Sequence, residues 1–212
     1  MFYDDLIEAT QEERQDLFAT PIIRAALQGS ATRAQYIAFL TEAYHHVCHT
    51  VPLLTACRER LPAHHAWLKS ELDYYIADES GHDEWILSDI DRAGGDAKAV
   101  RAGQPALPTE IMVAYAYDCV QRRNPLRFFG MAFVLEGTSV QLATKAAEIL
   151  RLALDLPESA FTYLTSHGDL DIEHTKNFAR LVNRFEDDND RADVVQSAKA
   201  FYPLYAGIFR SL

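Results

Sequence analysis

The sequence predicts an all-α fold. Apolar residues recur at three- and four-residue steps through most of the chain, for example at Tyr36, Phe39, Leu40, Ala43 and Val47, which is the period of an amphipathic helix. No stretch alternates convincingly with the two-residue period of a half-buried strand. The 9 Gly and 8 Pro fall mostly between the long periodic segments. We therefore expect a single domain over residues 1–212, built as a bundle of about seven helices.

The predicted helices follow one another with short connections. A helix that starts at Ser30 or Thr32, either of which is a good N-cap residue, contains Pro52, and we expect this proline to kink the helix rather than end it. Gly94 and Gly95 end a later long helix. Residues 96–110, DAKAVRAGQPALPTE, are expected to form the only extended loop. Besides the helix that starts near residue 30, we place helices at about 3–18, 20–28, 63–93, 109–122, 125–153, 158–186 and 189–210.

Composition excludes several classes of protein. A hydrophobic content of 49% with 11% aromatic residues is that of a folded chain. The net charge of −11 argues against a nucleic-acid or anionic-membrane surface, which would need clustered Lys and Arg. The sequence shows neither an apolar run of about 18 residues nor a signal peptide. Cys48, Cys57 and Cys119 form no CxxC pair, as in a reduced, cytoplasmic protein.

Two motifs place carboxylates where a metal could neutralise them. The segment ADESGHDEW at 77–85 contains Glu79 and His82 in an E-x-x-H spacing, which puts both side chains on one face of a continuous helix. The segment MAFVLEGTSVQLA at 131–143 surrounds Glu136 with apolar residues. A buried carboxylate needs a partner, either a metal or a basic side chain. Gly137 would let a helix or a ligand approach this position closely.

A third motif, SHGDLDIEHTKNF at 166–178, aligns three titratable side chains. His167, Asp171 and His174 lie at i, i+4 and i+7 of a predicted helix and point in the same direction. The rise along the helix separates the two histidines by roughly 10 Å. One metal ion would hardly bind both, whereas two ions about 3.5–4 Å apart could each take one. The alternative is a polar network of hydrogen bonds.

The segment TEAYHHVCHT at 41–50 holds three histidines. His45 and His49 share a helix face, whereas His46 lies about 100° around the helix from His45. His64 and His65 stand at a predicted helix start, where we expect them at the surface. As the candidate pocket wall, or as residues that contact the metal ligands, we select Glu42, Tyr44, His45, His49 and Tyr75.

The first three motifs together supply three imidazoles and three carboxylates on three helices. Nitrogen and oxygen donors of this kind suit iron or manganese, and the set lacks the thiolates of a structural zinc site. We therefore predict a dinuclear metal site whose ligands are Glu79, His82, Glu136, His167, Asp171 and His174.

The combined pattern resembles the haem-oxygenase-like diiron oxidases and oxygenases, a family within the superfamily of thiaminase II, pyrroloquinoline quinone synthase and haem oxygenase. The matching residues are the E-x-x-H pair, the glutamate of LEGTS and the H-x3-D-x2-H set, in the order of the family. The stretch ALQGSATRAQYIAFLTEAYHHVCHTVPLL also resembles the second and third helices of the superfamily. The likeness covers nearly the whole chain.

The resemblance implies a haem-oxygenase-like bundle, a homodimer, and two iron ions between core helices, with manganese as the other candidate metal. It implies dioxygen-dependent chemistry on a small organic substrate, such as one derived from a fatty acid or an amino acid. Glu79 and His82 would serve one iron and Glu136 would bridge or be shared. The assignment of His167, Asp171 and His174 to either iron stays open, as does the choice between oxidase and oxygenase. No haem is expected, because the first histidine is His45 rather than one on the first helix.

Two other functions remain candidates. The first is a metal-free hydrolase like thiaminase II, with Cys119 as its nucleophile, although the neighbours YDCVQRRNP differ from those of that family. The second is a protein that binds or senses a small molecule on the same fold without catalysis.

Overall fold

A computed structural model describes the backbone of residues 1–212 and the side chains of residues 1–166 and 174–212. Its regular elements are all helical, which confirms the all-α prediction. Short 3₁₀ turns at Ala63–His65, Pro125–Arg127 and Glu158–Ala160 precede three of the longer helices. In chain order the α-helices are α1 Phe2–Ala9, α2 Gln11–Phe18, α3 Pro21–Leu27, α4 Arg33–Val47, α5 Thr50–Arg60, α6 Leu68–Glu79, α7 His82–Arg92, α8 Ala97–Ala102, α9 Leu107–Arg122, α10 Phe128–Leu154, α11 Thr162–Val182 and α12 Asp188–Arg210.

Several predicted helices are divided, so the helices outnumber the seven expected. The first one breaks at Thr10, whose hydroxyl donates to the carbonyl of Leu6 at 2.7 Å. The one containing Pro52 breaks earlier, at Cys48 and His49, between α4 and α5. Pro52 therefore lies in the first turn of α5, where its missing N–H removes no intrahelical hydrogen bond. The predicted kink within one helix was wrong, and the reason is this break.

The predicted helix over 63–93 is interrupted at Ser80 and Gly81. Gly81 has φ +93°, a conformation that glycine adopts without steric cost. Ser80 is extended, with ψ 118°. The chain therefore ends α6 at Glu79 and starts α7 at His82, so the E-x-x-H pair flanks a break instead of sharing one helix face.

The segment over 96–110 is more ordered than the loop we expected. It contains the short helix α8, whose N-terminus is capped by Asp96, a carboxylate that accepts from the backbone N–H of Ala99 at 3.0 Å. The helix α9 then begins at Leu107. Only residues 103–106 separate the two helices.

The helix α10 connects two hydrophobic clusters. Its first half packs Phe128 and Phe133 into a cluster with α5, α9 and α12, and its second half packs Ala143 and Leu150 against α4 and α7. Where α10 crosses α12, a Cβ atom at Gly130 would lie 2.6–2.7 Å from atoms of α12, so the crossing depends on glycine. Among the described residues, no helix is both long and apolar enough to cross a membrane.

Candidate metal centre and adjoining cavity

The break between α6 and α7 brings Glu79 and His82 together. Both side chains are buried, with 9% and 3% of their residue surface exposed. The turn at Gly81 places His82 Nδ1 at 3.2 Å from Glu79 Oε2. The His82 ring also stacks on Trp85, with 4.1 Å between ring centroids. The predicted pair therefore meets, although a turn rather than a continuous helix aligns it.

His174 enters the same site from α11. Its ring is buried, and its Nδ1 lies 3.9 Å from Glu79 Oε1. Since Oε2 of Glu79 faces His82, this carboxylate stands between two imidazoles from different helices. On its other side, His174 Nε2 lies 2.6 Å from Asp78 Oδ2. His167 and Asp171 are outside the residues whose side chains the structure describes, so their predicted roles stay predictions.

Glu136 reaches the site from α10. Its Oε1 accepts a hydrogen bond from the hydroxyl of Tyr75 on α6. The Tyr75 ring in turn lies beside His174, with 5.2 Å between ring centroids. No atom of the described residues lies within 4 Å of a Cβ atom built at Gly137, so the described part of the chain leaves room for a ligand beside this glycine.

The donor chemistry of this cluster fits a metal such as iron. Asp78, Glu79 and His174 each offer one ligand atom, and these atoms lie within 4.8 Å of one another. His82 adds a second imidazole next to Glu79. Carboxylate oxygens and imidazole nitrogens without thiolates are the donor set of non-haem iron and manganese sites. Buried carboxylates also gain most from a cation, because leaving their charge uncompensated is costly.

A cavity of about 160 Å³ adjoins the cluster. Tyr75, Glu79 and Glu136 belong to its wall, and residues of both hydrophobic clusters form most of the rest. Of the lining residues that the structure describes, none is a lysine or an arginine. The apolar part of the wall includes Ile22, Leu27, Phe39, Met131, Leu142 and Leu150.

The predicted pocket residues from the 41–50 segment have partners outside the described lining of the cavity. Glu42 accepts hydrogen bonds from the backbone N–H of Ala106, at 3.2 and 3.1 Å, and from the hydroxyl of Thr109. It therefore caps the N-terminus of α9. Tyr44 and His45 are buried against each other, with 5.4 Å between ring centroids.

His45 and His49 are also partly or wholly buried. Burial lowers the pKa of His45, and Glu42 opposes this only in part. His49 Nδ1 lies 3.0 Å from the hydroxyl of Tyr117, and burial lowers its pKa as well. Of the five residues selected as pocket wall, only Tyr75 belongs to the described lining of this cavity.

From the sequence we did not select two residues that lie near the site, Asp78 and His46. Asp78 precedes Glu79 in the acidic run ADES, and its contact with His174 depends on a helix almost a hundred positions away. His46, which we set aside because it points away from His45, lines the cavity. Its ring meets Tyr205 edge-on, with 5.9 Å between centroids. The sequence did contain a signal for His46: its direction on α4 differs from that of His45, and it points toward α12 rather than α9.

One surface prediction was wrong. His64 is exposed as expected, with 67% of its side chain accessible, but His65 is buried, with 5% of its surface exposed. His65 Nε2 lies 2.6 Å from Asp190 Oδ2 on α12. This partner is 125 positions away in sequence, so local patterning could not reveal it.

Cys119, the candidate nucleophile of the hydrolase alternative, is fully buried. It does not belong to the described lining of the cavity. Burial raises the pKa of its thiol, and a hydrogen bond with Tyr115 and the charge of nearby Arg127 offset this only in part. Because the thiolate is the nucleophilic form, this position does not favour nucleophilic catalysis.

The fold is that of the haem oxygenase class. A domain of unknown function with a haem oxygenase-like fold from Shewanella denitrificans OS217 superposes with a TM-score of 0.85 at 24% identity, covering 96% of this chain and 88% of that one. A haem oxygenase from Leptospira interrogans has a TM-score of 0.78 at 16% identity, covering 100% and 99%. A TenA homologue from Pyrococcus furiosus has a TM-score of 0.74 at 13% identity, covering 99% and 98%. At these identities the structures establish the fold alone.

The family follows from the sequence match. The model of a family described as "Iron-containing redox enzyme" matches residues 37–206, which is most of the chain, and the chain belongs to this family. The matched region includes all the described donors of the cluster. No curated protein matched the chain.

Proposed function

We propose that this protein is a nonhaem diiron oxidase or oxygenase that uses dioxygen on a small organic substrate. The observation that carries the proposal is the position of Glu79 between His82 and His174, beside an apolar cavity. Membership of a family of iron-containing redox enzymes supports it.

The residues proposed to hold two iron ions are Glu79, His82, Glu136 and His174, together with His167 and Asp171 from the sequence motif. Manganese is the other metal that this donor set suits. When bound, the iron ions would supply the electrons and the open coordination positions for reaction with dioxygen.

Two further residues are assigned to positioning these ligands, and Asp78 is one of them although it lies near enough to bind an ion itself. Asp78 accepts from Nε2 of His174 at 2.6 Å, which fixes the ring orientation and leaves Nδ1 facing Glu79. The hydroxyl of Tyr75 donates to Glu136 and fixes one of its oxygens. Hydrogen bonds of this kind hold ligands in the orientation that a metal requires. The apolar wall of the cavity keeps water away from the reacting groups.

The cavity wall also bears on the substrate. Its described lining is largely apolar and has no lysine or arginine, so a substrate carboxylate would find no permanently charged basic side chain there. Burying such a charge without a partner is unfavourable. An aliphatic part, such as that of a fatty-acid derivative, therefore fits this wall better than the charged groups of an amino acid. A substrate carboxylate could still reach the metal ions.

The same proposal includes a homodimer, as the resemblance implies. It also places the protein in the cytoplasm, as the cysteines imply. All three cysteines are free thiols, which fits a reducing compartment. A small-molecule-binding protein without catalysis would use the same cavity, and consumption of dioxygen separates the two functions.

The test is anaerobic loading with Fe(II), followed by measurement of bound iron and of dioxygen uptake. The native chain should bind iron and consume dioxygen. A transient visible absorption should appear, and a true substrate should make it decay faster. Glu79→Gln removes the charge between the two imidazoles and should lower both bound iron and uptake at least about tenfold, the scale of a lost metal ligand contact.

The matched control is Glu59→Gln, which removes the same charge at an exposed position of α5. It should behave like the native chain. Circular dichroism establishes that each variant is folded. Equal iron content and dioxygen uptake in the folded Glu79→Gln and Glu59→Gln variants would refute the proposal.

A further inference from the structure

A second cluster of metal-binding side chains lies away from the central site. The 3₁₀ turn that contains His64 and His65 packs against the first turn of α12, where Asp190 is found. One ligand atom of each residue lies within 4.8 Å of the others. This cluster shares no residue with the central site, and nothing in the proposed dioxygen chemistry uses it.

We propose that His64, His65 and Asp190 bind a divalent ion of the zinc class. Zinc takes imidazole nitrogen and carboxylate oxygen at about 2.0–2.2 Å in tetrahedral geometry, which puts two ligand atoms about 3.3 Å apart. Asp190 Oδ2 lies 2.6 Å from His65 Nε2 and 4.0 Å from His64 Nε2. These distances bracket the required value: a rotation of the exposed His64 side chain would shorten the longer one, and the shorter one would have to lengthen by about 0.7 Å when an ion replaces the hydrogen bond.

Asp190 is held in place for this role. Its other oxygen, Oδ1, accepts from the amide of Asn124 at 2.7 Å, which leaves Oδ2 directed at the two histidines. Hydrogen bonds to the second oxygen of a carboxylate ligand commonly fix its orientation. His65 is held as well, since its ring packs against Phe185 with 5.7 Å between centroids. The bound ion would replace the proton that His65 and Asp190 share.

Charge and access both suit a cation. Asp187 and Asp188, which precede Asp190, are exposed, and His64 is largely open to solvent. Three protein ligands leave the fourth position to water. The neighbouring carboxylates also counter the positive end of the α12 helix dipole, which on its own repels a cation.

One contact limits the affinity. With a metal on Nε2, the ring proton of His65 moves to Nδ1, which has no hydrogen-bond partner among the described residues. A buried N–H without an acceptor is unfavourable. We therefore expect dissociation constants in the micromolar range rather than the nanomolar range of closed structural sites.

The test is calorimetric titration of the intact chain with Zn²⁺, comparing the number of ions bound. His64→Ala and Asp190→Asn should each lose one Zn²⁺ equivalent, or weaken it at least about tenfold. The matched control Asp188→Asn removes the same charge two residues away, from a side chain that is 97% exposed. It should keep every equivalent. His64 is exposed, so its substitution leaves the fold intact even if another variant does not fold.

The outcome is independent of the central site. Glu79→Gln should change the central binding and leave the equivalent lost in His64→Ala unaffected. If His64→Ala binds as many ions as tightly as the native chain, the proposed site does not exist. The same conclusion follows if Asp188→Asn loses as much binding as Asp190→Asn, because the effect would then come from surface charge alone.

Discussion

The hydroxyl of Tyr75 donates a hydrogen bond to Oε1 of Glu136, and this contact joins α6 to α10 at the wall of the cavity. The two residues are 61 positions apart in the sequence. Tyr75 thereby holds a carboxylate that the proposed metal ions would need. The contact also satisfies an oxygen that would otherwise lose a hydrogen bond in a largely apolar environment.

Tyr75→Phe should destabilise the metal-free protein. The substitution keeps the ring and removes the donor to Glu136, so the expected loss is about 1–3 kcal/mol in the free energy of unfolding. Urea denaturation followed by circular dichroism measures it. Tyr74→Phe is the control, because Tyr74 is 62% exposed and should change stability by less than about 0.5 kcal/mol. Equal stability of the two variants would contradict the role of this hydrogen bond.

Asp78→Asn should weaken metal binding without unfolding the protein. Asparagine cannot match the carboxylate that accepts from His174 at 2.6 Å, so the imidazole is oriented less well. We expect Mn(II) or Fe(II) affinity to fall about 10–100-fold, measured by competition with a chelator. Asp73→Asn changes an exposed residue of the same helix that pairs with Arg58, and its affinity should equal that of the native chain. An unchanged affinity in Asp78→Asn would exclude the positioning role.

Two glycines of α10 should respond to alanine in opposite directions. Gly130→Ala forces a Cβ atom to within 2.6–2.7 Å of α12, so we expect a loss of about 1–3 kcal/mol from overpacking. A Cβ atom at Gly137 meets none of the described residues within 4 Å, so Gly137→Ala should gain about 0.5–1 kcal/mol from the better helix propensity of alanine. Chemical denaturation of both variants measures the difference. A Gly130→Ala variant as stable as the native chain would show that the α10–α12 crossing is looser than described, and a destabilised Gly137→Ala variant would show that Gly137 is more closely packed than expected.

Asp89 should make the stability of the protein depend on pH. This carboxylate is fully buried on α7, and one of its oxygens accepts from the backbone N–H of Tyr163 at 2.7 Å. Burial raises the pKa of Asp89, and the backbone hydrogen bonds oppose this in part. The folded state therefore holds the proton more tightly than the unfolded state. Its contribution to stability is complete below the ordinary carboxyl pKa and is lost as pH rises through the raised value.

Asp89→Asn removes this contribution, because asparagine does not titrate while its oxygen still accepts from Tyr163. Unfolding free energies of both proteins should be measured at several pH values from about 4 to 7. The native chain should lose stability relative to the variant as pH rises, by about 1.4 kcal/mol for each unit by which the pKa is raised. Parallel pH profiles would show that Asp89 titrates normally.

The fold could be predicted well because helices leave a local signal. Apolar periodicity located the helical segments, and glycine and proline located many of their ends. The break at Ser80 and Gly81 was missed, since a single glycine in a helical pattern is often tolerated. Glu79 and His82 meet nevertheless, because the left-handed turn at Gly81 brings the first residue of α7 back over the end of α6.

The candidate site was predictable only where a local pattern marks its residues, such as the E-x-x-H spacing of Glu79 and His82 or the apolar surroundings of Glu136. Asp78 carries no signal of its own, because its contact with His174 depends on how α6 and α11 pack. We selected Glu42 as a pocket residue, but its carboxylate accepts from the backbone N–H of Ala106 at the start of α9. His65 is buried by its contact with Asp190. Such long-range contacts are set by the packing of helices and lie outside any local pattern.

Residues of both hydrophobic clusters form the wall of the cavity. A molecule that fills it therefore contacts both halves of the core at once and must stabilise the folded chain against heat. Ligand at a hundred times its dissociation constant adds about 2.7 kcal/mol, which raises the melting temperature of a chain of this size by several degrees. Substrates can thus be sought by thermal shift in metal-free protein, before any turnover is observed.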